Sequence, residues 1–322
     1  MTKAIRFART GGPEVLSLED VTLPPPGDGE VRLRHEAIGV NFFDTYHRSG
    51  LYPLPLPSGL GVEAVGVVEA LGPGVSGLSP GDRVAAVSGP GAYAEARNLP
   101  AGLLVRLPAG LPADVAAASF MKGLTVHMLL TRYRPVRAGD TVVVTAAAGG
   151  VGQLLVQWLQ VVGATVIAVV GRAEKEAVVR ALGAQHVLVI GRDDVPARVK
   201  ALTGGGVPLV YDSVGQATFE ASLDCLAPFG LLVTYGNASG PVPPFDTGLL
   251  ARKGSLAVGR PSLFAHVARR EDLEAASTAF LGLLQAGKLR VAVGGRYRLA
   301  EAAEAHRALE SRATTGALIL LP

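Results

Sequence analysis

The sequence predicts an α/β protein made of a small, barrel-like β domain and a doubly wound domain with a parallel sheet. Three observations carry this reading. The first 120 residues hold short apolar runs separated by Gly- and Pro-rich turns. From about residue 112 the pattern changes to alternating strands and helices. Within that second part lies the turn Ala147-Ala148-Gly149-Gly150-Val151-Gly152, placed between a β-branched run and an amphipathic segment. A glycine turn in that setting lets the backbone approach a pyrophosphate at a helix N-terminus.

The elements follow in chain order. Strands are expected at 3–7, 15–20 and 30–40, with partial alternation at Val31, Leu33 and His35. The three prolines in 51–57 make that stretch irregular. Strand resumes over 61–71, broken at Gly66, then after the turn Gly81-Asp82-Arg83 and again over 92–98. Residues 112–132 read as helix in two pieces joined near Lys122-Gly123. Strand 141–145 leads through the glycine turn to helix 151–162, closed by Gly163. Strands 165–170, 186–190, 208–211, 231–235 and 255–258 then alternate with helices 174–182, 196–202 and 218–226. Helices at 271–286 and 300–311, with strands 291–293 and 317–321, do not continue the rhythm and are expected to fold back on the first domain.

Bulk properties bound the function. The chain has 322 residues, 49% of them hydrophobic, which suits two domains with a core each. Cys225 is the only cysteine, so the chain has no intrachain disulfide and no cysteine cluster for zinc. It sits in an apolar run, which predicts a buried, inert thiol. The net charge of +3 is mild, and no Lys/Arg run marks a nucleic-acid arm. No segment has the apolar core of a signal peptide, and no apolar run of about 18 residues is free of breakers. A soluble, cytoplasmic protein without membrane partners is expected.

The end of the second parallel strand bears on cofactor choice. A site for unphosphorylated dinucleotide carries Asp or Glu about 20 residues past the first glycine. Here Val169-Val170 is followed by Gly171, Arg172, Ala173, Glu174 and Lys175. Two cations at the strand end suit a ribose 2′-phosphate, so NADPH is expected over NADH. The plain alternative is a pair of solvated residues at a helix start.

Segments across the chain carry a family resemblance. They include Gly11-Gly12-Pro13-Glu14-Val15-Leu16, Asn41-Phe42-Phe43-Asp44-Thr45-Tyr46, Arg48-Ser49-Gly50-Leu51-Tyr52-Pro53 and Gly123-Leu124-Thr125-Val126. The glycine turn, Tyr211-Asp212-Ser213-Val214-Gly215, Tyr235-Gly236-Asn237-Ala238-Ser239-Gly240 and Ser311-Arg312-Ala313-Thr314-Thr315-Gly316 continue it. The chain resembles the medium-chain dehydrogenase/reductase superfamily, and within it the zeta-crystallin-like NADPH:quinone oxidoreductases. The resemblance implies a GroES-like β-barrel catalytic domain from 1–122 and 265–322, and an NADP-binding Rossmann domain from 123–264. It also implies a homodimer joined through the last Rossmann strands near 255–258.

The resemblance also assigns residues. Asn41, Tyr46 and Tyr52 are implied to line the acceptor side by the nicotinamide, where a tyrosine offers a planar face and a hydroxyl. Packed core aromatics and a helix cap are the alternatives. Gly149, Gly150, Val151 and Gly152 are the phosphate turn. Gly171, Arg172 and Lys175 flank the 2′-phosphate, Lys175 by resemblance and Arg172 by its charge. Thr125, Val214, Gly236, Asn237, Arg260 and Arg312 match positions that touch the cofactor in the family. The relatives' tyrosine after the third strand is absent, and Arg192 is a candidate substitute. Asp44 and His47 invite reading as an acid/base pair, but His47 is expected at the surface, and the remaining histidines receive no role.

Zinc alcohol dehydrogenases of the superfamily place a Cys ligand where this chain has Asn41, and a His where it has Val62. An amide and an isopropyl group do not make a tetrahedral N/S site, so no metal is expected. Without a Lewis acid for an alkoxide, quinone reduction is the leading activity. Reduction of α,β-unsaturated carbonyls or enoyl thioesters is the enzymatic alternative, and an RNA-binding or crystallin-like structural role the non-enzymatic one.

Overall fold

A computed structural model describes residues 1–322. The chain forms two compact units. The first comprises Met1–Lys122, Ala268–Leu281 and Val291–Pro322, the second Gly123–Val267 and Gly282–Arg290. The expected boundary at 264/265 therefore moves to 267/268, and Gly282–Arg290 groups with the second unit. Gln157 explains part of that grouping: it accepts from Arg290 N–H at 2.7 Å and donates to Arg290 C=O at 3.0 Å.

The first unit is β-rich. Its long strand Glu30–Val40 pairs antiparallel with Glu63–Leu71, Ala96–Pro100 and the C-terminal strand Ala317–Leu321. These belong to a seven-stranded sheet, beside a separate three-stranded one. Alternation places Val31, Leu33 and Val68 in one apolar cluster, while Ile5, Phe7, Ile38, Leu60 and Leu318 build another.

Gly66 does not break its strand, as its sequence position suggested. A Cβ there would fall 2.0 Å from the carbonyl oxygen of Arg34, so glycine permits a close crossing beside the register shift at His35/Ala37. The strand expected at 291–293 runs instead over Val293–Arg298, parallel to Ala317–Leu321. Its outward Gly294, Arg296 and Arg298 hid it from a hydrophobicity reading. The strand expected over 92–98 covers only Ala96–Pro100.

The second unit has a six-stranded parallel sheet in the order His186–Val189, Thr165–Val170, Thr141–Val144, Val207–Asp212, Leu226–Thr234, Ala257–Gly259. Counted along the chain this is 3-2-1-4-5-6, the doubly wound arrangement that the alternation predicts. The sheet core is aliphatic, with Val143, Ile167, Val169, Val210 and Leu232 inside. Cys225 lies in that cluster, and burial pushes its thiol up to about 12, which keeps it protonated and unreactive.

The helix expected in two pieces is one, Ala113–Thr131. Gly123 costs about 1 kcal/mol in a helix interior. Burial of Phe120, Met121, Leu124, Val126 and Leu129 on either side outweighs that penalty. No helix is long and apolar enough to cross a membrane.

The glycine turn owes its shape to contact distances. Ala146 adopts a left-handed φ of 47°, Gly149 caps the helix Gly150–Val162, and Gly163 ends it at φ 86°. A Cβ on Gly152 would sit 2.5 Å from Ala146 O and 2.7 Å from Ala147 Cα, both backbone atoms. Gly152→Ala is predicted to cost about 1–3 kcal/mol, the range for overpacking. Urea denaturation checks this, and an unchanged midpoint would show that the turn relaxes freely.

Candidate active site and cofactor cradle

In the first unit, Asn41 ends a strand and caps the helix Phe42–Ser49 in extended conformation, and Gly50 closes that helix in the left-handed region. Asp44 is the third helical residue, and its Oδ2 accepts the Asn41 N–H at 2.8 Å. The Asn41 side chain turns elsewhere. Its amide nitrogen donates to Glu63 Oε2 at 2.9 Å and to Gly39 C=O at 3.4 Å. Its oxygen accepts from Lys122 Nζ at 2.9 Å. Lys122 lies 3.5 Å from Glu63 Oε2, and Glu63 Oε1 accepts the Met121 N–H at 2.7 Å. Glu63 is fully buried and Lys122 nearly so. A buried carboxylate is tolerable here because it has a cation and two further donors.

Tyr46 and Tyr52 come together, with ring centroids 5.2 Å apart edge to face, and Tyr52 N–H donates to Tyr46 C=O at 3.0 Å. Phe43 joins them, 5.4 Å from Tyr52 and 4.7 Å from His47. His47 is not the surface residue expected. Its ring is buried in this aromatic group, and burial lowers its pKa. Nor do Asp44 and His47 form an acid/base pair, because the Asp44 carboxylate is engaged on the other side.

That other side is a buried polar chain that the sequence did not disclose. Tyr93 OH donates to Asp44 Oδ2 at 3.0 Å and lies 3.0 Å from His306 Nε2. Arg48 Nη1 is 2.9 Å from His306 Nδ1, and Arg48 pairs with both oxygens of Glu310. A guanidinium only donates, so Nδ1 accepts and Nε2 carries the hydrogen that points at Tyr93. His306 is thus neutral, and burial beside Arg48 depresses its pKa to about 3. Burial pushes Asp44 from 3.8 up to about 7, against the hydrogen bonds from Asn41 and Tyr93, and its Oδ1 is buried with no partner.

In the second unit, the turn is fixed on both flanks. Ala147 N–H reaches Val169 C=O at 3.2 Å, and Thr145 N–H reaches Tyr211 C=O at 2.9 Å. Buried Gln153 donates to Ala148 C=O at 2.8 Å. The first N–H groups of the helix, from Gly150 to Gly152, have no partner within the helix, as at any helix start. At the end of the second strand, Gly171 has open space where a Cβ would stand, Arg172 is exposed, and Lys175 is half-buried. Partial burial and the charge of Arg172 both lower the Lys175 pKa. The neighbouring Arg172 disfavours the charge on Lys175, a strain that an anion placed between them would relieve. Arg192 is not free to help. Glu176 holds its guanidinium at 2.5 Å and Asp193 at 3.0 Å.

Val214, Gly236, Asn237 and Arg260 gather near the ends of the fourth and fifth strands. Buried Asp212 organises the loop that carries Val214, accepting from Val214 and Gly215 N–H at 2.7 and 3.0 Å and from Thr218 and Ser222 hydroxyls at 2.6 Å. A Cβ on Gly236 would stand 2.3 Å from Ser213 C=O, and Arg260 donates to that glycine's carbonyl at 3.1 Å. Thr125 lies in the second unit on the helix Ala113–Thr131. Arg312 belongs to the first unit, exposed and with a left-handed φ of 57°.

Asp44 generates a pH prediction. Its folded pKa lies above its ordinary value, so folding takes up a proton between about pH 4 and 7. Its contribution is therefore most favourable below that window and declines as pH rises through it, by up to about 4 kcal/mol at 1.36 kcal/mol per unit. Denaturation of wild type and Asp44→Asn at pH 4.5 and 7.5 isolates the effect. Wild type should lose more stability than the variant on going to pH 7.5, and parallel losses would contradict the assignment.

Known proteins resemble this chain over its whole length. Residues 27–109 match the family described as alcohol dehydrogenase GroES-like domain, and 150–278 the one described as zinc-binding dehydrogenase. The chain is 48% identical to a quinone oxidoreductase of Pseudomonas aeruginosa, covering all of both chains. It is 41% identical to a 2-haloacrylate reductase of a Burkholderia species, over 100% of this chain and 99% of the relative. Among solved structures, Escherichia coli quinone oxidoreductase complexed with NADPH superposes with a TM-score of 0.97 at 44% identity, over 99% of this chain and 100% of that one. The GroES-like domain and parallel-sheet domain expected from the sequence are thus both present, and the chain belongs to the quinone oxidoreductase family of the medium-chain dehydrogenase/reductase superfamily.

Proposed function

We propose that this protein is an NADPH:quinone oxidoreductase that works without zinc. The first unit acts as the catalytic domain and the second as the NADP-binding domain. The observation that carries the reading is the cradle of Arg172 and Lys175 behind the glycine turn, in a chain similar over its whole length to quinone oxidoreductases. Gly149, Gly150, Val151 and Gly152 would hold the pyrophosphate, and Gly171 leaves room for the ribose. Arg172 and Lys175 would grip the 2′-phosphate. Thr125, Val214, Gly236, Asn237, Arg260 and Arg312 are proposed as further cofactor contacts. When bound, NADPH supplies hydride from its nicotinamide.

The acceptor side is proposed at Asn41, Tyr46 and Tyr52. The edge-to-face tyrosine pair would offer an aromatic face and hydroxyls suited to a quinone. Lys122 already brings its ammonium to the Asn41 oxygen, so the position taken by a zinc ligand in related alcohol dehydrogenases serves a different cation here. A second reading, reduction of an activated alkene, is favoured by the similarity to 2-haloacrylate reductase. We place the enzyme in the cytoplasm, with Cys225 reduced. We also propose a homodimer that pairs through Ala257–Gly259, the edge of the six-stranded sheet. Light scattering should give twice the chain mass, and a monomer mass would refute the pairing.

Steady-state assays with 1,4-benzoquinone, 9,10-phenanthrenequinone and a 2-alkenal, each with NADPH and NADH, test the activity. Quinone turnover with NADPH is expected to dominate, and turnover of the alkenal alone would transfer the assignment to the second reading. Lys175→Ala should weaken NADPH binding by about 1.5–3 kcal/mol, the range for hydrogen bonds to charged groups, and leave NADH binding unchanged. Calorimetry measures both. Equal NADPH affinity in the variant would remove Lys175 from the phosphate site.

A further inference from the structure

We propose that Lys122 is the hydrogen-bond donor of the acceptor site, with Asn41 and Glu63 as its positioning residues. This inference rests on the reading of the protein as a quinone reductase. It starts from the donors each side chain has left. Both amide hydrogens of Asn41 have protein acceptors, Glu63 Oε2 and Gly39 C=O. Asn41 therefore has no donor to offer a substrate, although it is the residue that sequence comparison singles out. Lys122 has three N–H bonds. One goes to Asn41 Oδ1 at 2.9 Å, and a second lies at the outer limit of hydrogen bonding, 3.5 Å from Glu63 Oε2. One N–H remains.

The surroundings hold that ammonium in place. Asn41 is the residue where the strand Glu30–Val40 passes into the helix Phe42–Ser49. Glu63 opens the strand Glu63–Leu71, and Lys122 lies within the helix Ala113–Thr131. Three separate elements thus fix a single amino group, and its side chain is only 6% exposed. A donor fixed before the reaction needs no reorganisation as charge appears, the condition under which electrostatic stabilisation is strongest.

The chemistry calls for such a donor. Hydride adds two electrons and one hydrogen nucleus to the quinone, which becomes a hydroquinone monoanion, and water supplies the proton that completes the hydroquinone. The negative charge appears on a quinone oxygen. Lys122 N–H stabilises that oxyanion more than the neutral quinone, so its contribution belongs to kcat more than to KM. Asn41 acts through Lys122, orienting it and sharing Glu63 with it.

The test compares wild type with Lys122→Met, Lys122→Arg, Asn41→Ala and the double variant Asn41→Ala/Lys122→Met. Quinone kcat should fall about 100-fold in Lys122→Met, the scale for losing one such donor, with NADPH affinity unchanged. Lys122→Arg should recover about a tenth of the wild-type rate. The double variant should be no slower than Lys122→Met, because residues acting as a unit are not additive. A second readout uses cofactor-free protein. The Asn41 side-chain amide protons should be protected from exchange in the wild-type NMR spectrum and lose protection in Lys122→Met. If Lys122→Met does not fold, Lys122→Gln and Lys122→Arg carry the same comparisons. Wild-type kcat in a folded Lys122→Met, or fully additive losses in the double variant, would overturn the proposal. Absence of quinone turnover in wild type would instead overturn the functional reading. The amide measurement would then still decide whether the Asn41–Lys122 contact holds the two side chains together, and retained protection in Lys122→Met would refute that as well.

Discussion

The proposed acceptor half of this protein depends on a carboxylate placed where water does not reach. Glu63 is fully buried, and an isolated ion there would cost several kcal/mol. A backbone N–H, an amide and an ammonium surround it instead. Two of these partners come from the helix Ala113–Thr131 and one from the start of the helix Phe42–Ser49, so the arrangement forms only when those elements meet the strand Glu63–Leu71 in their native registers. Removing any one partner leaves a buried charge exposed to apolar surroundings. That constraint explains why Asn41, commonly a simple helix cap, has its side chain directed away from its own helix.

The same economy recurs around it. Asp44 connects the Asn41 backbone to Tyr93, and Tyr93 leads through His306 and Arg48 to Glu310 at the surface. From Arg48 through His306 and Tyr93 to Asp44 the donors all point the same way, because Arg48 forces His306 into a single tautomer. In the second unit Asp212 plays a comparable part. It accepts two backbone N–H groups and two hydroxyls, and so shapes the loop that carries Val214. In both units a buried acid fixes a loop or helix start: the start of Phe42–Ser49 in one and the Val214 loop in the other.

The proposed phosphate side rests on local determinants, which is why sequence alone could suggest it. The glycine turn, the flanking strands and the Arg172/Lys175 spacing all lie within about one βαβ length of each other. The doubly wound sheet followed from the same periodicity. The polar centre proposed for the acceptor was visible in the sequence only in part. Asn41, Tyr46 and Tyr52 stood in a recognisable segment, but Glu63 and Lys122 are 22 and 81 residues from Asn41. Each broke an apolar pattern by one residue, Glu63 before Ala64-Val65 and Lys122 between Met121 and Gly123. A lone charge in an apolar strand or helix was the available signal, and Gly123 beside Lys122 drew attention to a helix break instead. His47 was misplaced because a polar residue on a short helix reads as solvated, whereas Phe43 and Tyr52 cover it. Gly66 and the strand Val293–Arg298 were misread for the opposite reason, since sheet pairing overrode weak local propensity.

The most direct test is a crystal structure of the protein with NADPH and a poorly reducible quinone analogue. The account predicts an analogue oxygen within hydrogen-bond distance of Lys122 Nζ, its ring against Tyr46 and Tyr52, and Lys122 still bound to Asn41. An analogue seated with its oxygens turned from Lys122, on other side chains, would contradict it.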